Sequence, residues 1–216
     1  MANNNISAGI TVLTDGSTAT TQSASDNSTK LATTAYADTA GGGGGAWVHL
    51  DSATASASSS IDMITGIDGT YDVYVLVLNG VVPASDTFQL RMRVSEDTGS
   101  TWKSGASDYR YAAAEHGGSS GSSSGSGYIA LDGIGNASGE GLNAQIYFYN
   151  PSSTSLWKVF NFHTATTGFN PAAAPTGRDG TGVYDGTANA IDGVQFLMSS
   201  GNITSGTFRL YGISNS

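Results

Sequence analysis

From Ala46 onward the sequence is a succession of short apolar runs, each closed off by glycine, serine or asparagine, and this punctuation points to a sheet protein. The clearest run is Phe88, Leu90, Met92 and Val94, alternating with Gln89, Arg91 and Arg93. A period of two sets one row of side chains on a core and the other in water, so the run reads as a half-buried antiparallel strand. Tyr71 to Leu78 is apolar at both parities, which predicts a central strand or one that covers an interface. Further strands are predicted over 46–50, 60–64, 109–114, 128–131, 142–149, 156–162, 194–198 and 207–211. Many short strands with turn residues between them give an antiparallel jelly roll or β-sandwich. Two stretches read as long loops. One runs from His116 to Gly127 and is almost pure glycine and serine; the other runs from Thr166 to Asp185 and holds Pro171 and Pro175.

The first 40 residues are patterned differently, being small and polar. Ser25 to Thr29 supplies several helix-capping side chains, and Lys30 to Ala37 then reads as a short helix with Leu31 and Ala35 on one side. A helix this short is marginal alone in water and must dock on something. Five consecutive glycines, Gly41 to Gly45, read as a flexible hinge. The expected organisation is an attachment and oligomerisation segment over 1–40, a hinge over 41–45 and a mainly β head over 46–216.

Composition narrows the function. Of 216 residues 38% are hydrophobic and only 12% charged, which suits closely packed strands and turns and not a helical bundle. The formal net charge of −9 argues against nucleic acid, whose phosphates need clustered lysine and arginine, and against anionic membrane surfaces. There is no cysteine, so neither a disulfide nor thiolate chemistry is available. The start lacks the basic and apolar regions of a signal peptide, and nothing approaches the apolar length of a transmembrane helix, so membrane insertion is not expected.

No string in the sequence predicts catalysis. Gly121-Ser122-Ser123-Ser124-Gly125 matches a nucleophile elbow in letters, but an elbow needs a strand before it and a helix after it. His49, His116 and His163 are far apart, with no spacing that promises converging metal ligands. Most carboxylates stand beside glycine, as in Ile67-Asp68-Gly69, Arg178-Asp179-Gly180 and Tyr184-Asp185-Gly186, and read as turns. No cofactor and no metal are expected. The aromatics Trp102, Tyr109 and Tyr111 flank the first long loop and are the candidates for stacking against a host glycan, the competing reading being that they are core or interface residues.

The stretch Asp26-Asn27-Ser28-Thr29-Lys30-Leu31-Ala32-Thr33-Thr34-Ala35-Tyr36 resembles a segment that recurs in bacteriophage tail-fibre proteins. Ser205-Gly206-Thr207-Phe208-Arg209-Leu210-Tyr211-Gly212 resembles, more loosely, a recurring ending of phage surface β-domains, and carries no functional residue with it. The first resemblance implies a homotrimer aligned through Leu31, Ala35 and Tyr36, joined to other phage structural proteins by its N-terminal segment. It makes the chain a non-enzymatic tail fibre or spike, made in the host cytoplasm and displayed on the virion surface for host attachment. A capsid decoration or head-fibre protein is the alternative of the same build, and a free carbohydrate-binding module is a third.

Overall fold

The computed structural model describes residues 6–7, 10–11, 23, 46–116, 120–167 and 176–214. The chain divides into two compact units, Met1–Gly45 and Ala46–Ser216. In the first, β1 (Ile6–Ser7) pairs antiparallel with β2 (Ile10–Thr11). The expected helix over 30–37 with Leu31, Ala35 and Tyr36, and the glycine run 41–45, lie outside the described residues.

The second unit is all-β. Its strands are β3 (Trp47–Ser58), β4 (Ser60–Met63), β5 (Val73–Pro83), β6 (Phe88–Ser95), β7 (Tyr109–Glu115), β8 (Ser120–Ser126), β9 (Ile129–Ile134), β10 (Gly141–Tyr149), β11 (Lys158–Thr167), β12 (Arg178–Tyr184), β13 (Gly193–Met198) and β14 (Ile203–Ile213). An eight-stranded sheet runs β3-β14-β5-β10-β11-β12-β7-β8 and packs on a four-stranded sheet, β4-β13-β6-β9; among the described residues every strand pairing is antiparallel. Among the described residues there is no helix, hence none long and apolar enough to cross a membrane.

With β7–β8 and β11–β12 set aside, the chain changes sheet at every step but one, β6 to β9, which pair within the small sheet. The orders β3-β14-β5-β10 and β4-β13-β6-β9 that remain are the double Greek key of an eight-strand jelly roll. The two other pairs are excursions. β7–β8 leaves between β6 and β9, β11–β12 leaves between β10 and β13, and both extend the large sheet beyond β10.

Alternation builds the core. On β6 Leu90, Met92 and Val94 are wholly buried, and on β10 Leu142, Ala144, Ile146 and Phe148 point in while Asn143 and Gln145 point out. Phe148 stacks on Phe160 with 4.3 Å between ring centroids, and Phe196 meets Phe208 across the two sheets at 5.2 Å. Each such side chain is worth about 1.5–3 kcal/mol in burial. The two-sided run at Tyr71–Leu78 becomes β5, inside the large sheet. Tyr74, Leu76 and Leu78 face the core, and Val75 on the outer face is also fully buried, held in register between Tyr147 and Tyr211.

Both stretches expected to be loops contain strands, β8 and β12. On β12 the glycines that suggest turns are packing residues. A Cβ on Gly180 would lie 2.1 Å from the Phe162 ring, and one on Gly182 would lie 2.5 Å from Ile129. The larger neighbours fill the space that a side chain would need, which keeps a Gly-rich segment in an extended sheet. Asp68, by contrast, makes the expected turn, accepting a hydrogen bond from the Thr70 N–H at 2.8 Å.

Candidate functional site

The excursions β7–β8 and β11–β12 carry a broad depression on the outer face of the large sheet. Antiparallel register lines up one cross-strand row over all eight strands: His49, Tyr211, Val75, Tyr147, Asn161, Thr181, Ala112 and Ser122. The adjacent row runs Arg209, Val77, Gln145, His163, Asp179, Ala114 and Ser120. Over β7 and β8 both rows hold only alanine and serine. These short side chains leave a low floor beside the taller Tyr147, Asn161 and His163, and the step makes a trough of about 690 Å³. Asn161 Nδ2 donates to Thr181 Oγ1 at 3.0 Å, which fixes one wall. His163 also borders a second, smaller depression of about 260 Å³ lined by Val77, Asn79, Gln145 and Ala165, so it stands as a ridge between the two.

At one end of the trough three side chains converge, two from strands and one from the turn after a third. Asp179 of β12 is the register partner of His163 on β11, and His116 follows the end of β7. His116 Nε2 lies 2.7 Å from Asp179 Oδ2, and His163 Nδ1 lies 2.5 Å from Oδ1. The two imidazole rings are 5.3 Å apart. All three side chains are exposed, and the bonds from His116 and His163 hold the Asp179 carboxyl below the usual aspartate range. The His116 N–H donates to the Gly177 carbonyl at 2.9 Å, and a Cβ on Gly177 would lie 2.1 Å from the Thr164 carbonyl oxygen and 3.1 Å from His116 Nδ1. Glycine there admits the close approach of the β11 backbone and, beside it, the ring.

Directly beneath, on the inward side of the same strands, lies a polar clamp between the sheets. The Thr164 hydroxyl donates to Asp132 Oδ2 at 2.7 Å and accepts from the Arg178 N–H at 2.8 Å. Arg178 reaches Asp132 Oδ1 at 3.5 Å and makes a close ion pair with Glu115. Burial pushes the Asp132 carboxyl up, and the bond from Thr164 and the charge of Arg178 oppose that. Because successive residues on a strand face opposite ways, Arg178 anchors β12 below while Asp179 is presented above.

The residues singled out in the sequence fare differently. Tyr109 is a core residue: its ring is fully buried, its hydroxyl accepts from the Val94 N–H at 2.9 Å and donates to the Lys103 carbonyl at 3.1 Å, so glycan stacking does not extend to it. Tyr111 is half-buried and packs on the core from the inward side of β7. Trp102 is half-buried against the positions of Gly99 and Gly193, so the three aromatics do not form one surface. Tyr147 flanks the trough from the outer face, with the buried Phe162 beneath, and the most exposed aromatic among the described residues is Trp157, 57% accessible beside Leu156. The serine string Ser122–Ser124 lies on the edge strand β8 and not on a strand-to-helix turn. Sequence reading also missed the meeting of His116 and His163. Their separations from Asp179 follow from pairings of β7, β11 and β12 that only the register reveals.

Comparison with protein-family models, with curated proteins and with solved structures finds no match for this chain.

Proposed function

We propose that the chain is a non-enzymatic surface protein of a bacteriophage particle, a trimeric fibre or spike subunit that attaches to a host through the outer face of its jelly roll. The observation that carries the attachment reading is the trough built on strands added to a complete jelly-roll core. Binding surfaces are grafted onto folds in this way, and the added strands carry no part of the core order. The trough offers what a hydroxylated ligand such as a glycan uses: an aromatic flank at Tyr147, and hydrogen-bonding groups at Asn161, Thr181, Ser120 and Ser122. The assignment to a phage rests on the Asp26–Tyr36 resemblance together with this fold and the acidic, cysteine-free composition.

The attachment reading is tested with Tyr147→Ala and Asn161→Ala in the full chain. Loss of binding to host cells with unchanged melting supports it; full binding by both variants removes it. Antibodies to residues 46–216 applied to intact particles test the location. Labelled tails support the fibre or spike, labelled shells favour the decoration protein, and unlabelled particles overturn the virion assignment.

A further inference from the structure

We propose that His116, His163 and Asp179 form a binding site for a divalent transition-metal cation of the Zn²⁺ type. Three ligating atoms, one from each side chain, lie within 4.8 Å of one another. Two imidazole nitrogens and one carboxylate oxygen are a donor set suited to borderline cations, and three protein ligands leave further positions for water or for an oxygen of a bound partner.

The geometry needs little adjustment. A cation about 2.0–2.2 Å from each donor sets neighbouring donors about 3.3 Å apart. Here the carboxylate sits 2.7 and 2.5 Å from the two nitrogens and all three donors lie within 4.8 Å, so admitting the ion means replacing the two hydrogen-bonding protons, opening each carboxylate gap by under ~1 Å and bringing the two nitrogens to about 3.3 Å. The side chains are 41%, 56% and 63% exposed and free to make that movement. The backbone beneath them is fixed by the clamp of Thr164, Asp132 and Arg178, so the ligands are carried on a rigid base. The site's neighbours also favour a cation. Ala114 and Ser120 continue the row beyond Asp179, Gln145 flanks His163 on the other side, and no lysine or arginine occupies these places. A bound ion would tie β7, β11 and β12 together at the mouth of the trough and complete its wall.

The experiment uses untagged full-length protein, titrated with Zn²⁺ against a chromogenic chelator. The expected result is one ion per chain, with His116→Ala, His163→Ala and Asp179→Asn each weakening binding by at least about tenfold. His49→Ala, which removes the third histidine, leaves binding unchanged. Melting temperature rises on adding Zn²⁺ to the parent and to the His49 variant, and not to the other three. Addition of Co²⁺ gives a visible spectrum that is lost in the same three variants. Binding by the parent no tighter than by a His116→Ala/His163→Ala double variant overturns the proposal, as does equal weakening by His49→Ala.

Discussion

The hydroxyl of Thr164 and the carboxylate of Asp132 meet 2.7 Å apart across the two sheets, β11 against β9, and this is the buried polar bond beneath the trough. Thr164→Val keeps the shape and removes the hydroxyl. It leaves Asp132 and the Arg178 N–H each short of a partner, at a cost of about 1–3 kcal/mol per unsatisfied group. Urea unfolding of the unit spanning residues 46–216 measures this; a variant as stable as the parent would show the clamp to be dispensable.

Glu96 predicts the acid limit of stability. Burial pushes its carboxyl up, but bonds from Lys103, Thr187, Tyr184 and Asn189 outweigh that and bring it from 4.5 down to about 2. A carboxyl with a lowered folded pKa stabilises the fold above its unfolded value, and that contribution fades as pH falls from 4.5 towards 2. The contribution is of order 2 kcal/mol, with allowance for partial screening. Glu96→Gln should lower the midpoint of unfolding at pH 7 and flatten its fall between pH 5 and pH 2. A parallel shift at every pH would assign the acid limit to other groups.

Tyr109 and Trp102 separate under mutation. Tyr109→Phe loses two hydrogen bonds and should cost about 1–3 kcal/mol. Tyr109→Ala also opens a cavity and should cost about 3–5 kcal/mol. Host binding by the folded fraction should survive both. Trp102→Ala, at a half-buried site, should cost less than Tyr109→Ala on the same melting curve. Loss of adsorption without loss of stability in Tyr109→Phe would return that residue to a binding role.

Oligomerisation is expected of the full chain. Light scattering at micromolar concentration should report three chains, and protease should cut near Gly41–Gly45 to release a folded fragment beginning near Ala46. A monomeric full-length chain would end the trimer reading, and an unfolded fragment would end the reading of the head as independent.

Much of the core was legible in the sequence because alternation is a local signal. Phe88 to Val94 and Leu142 to Tyr149 state their own inward and outward faces. The strands that carry the site were not legible. β8 is glycine and serine without a hydrophobic parity, and it is extended because it pairs with β7. On β12, Asp179 stands between Arg178 and Gly180, the composition of a turn. What makes it a strand is the Phe162 ring lying where a Gly180 side chain would be, and Phe162 is a neighbour only after folding. His116 and His163 were unreadable as a pair for the same reason, since their meeting is a property of long-range pairing.

The two excursions have a consequence for how such a surface changes over generations. β7–β8 and β11–β12 leave and rejoin the jelly roll without altering the order of its eight core strands, and β9 is the strand of the small sheet that packs behind them. Outward-facing residues there are thus open to replacement, while Tyr109, Phe160, Phe162 and Tyr184 hold the same strands to the core, and the pairing of β14 to β3 and β5 is left untouched. A lineage that must follow a shifting target would accumulate its differences on the outer face of those four strands and keep their inward side chains and the remaining eight strands nearly constant.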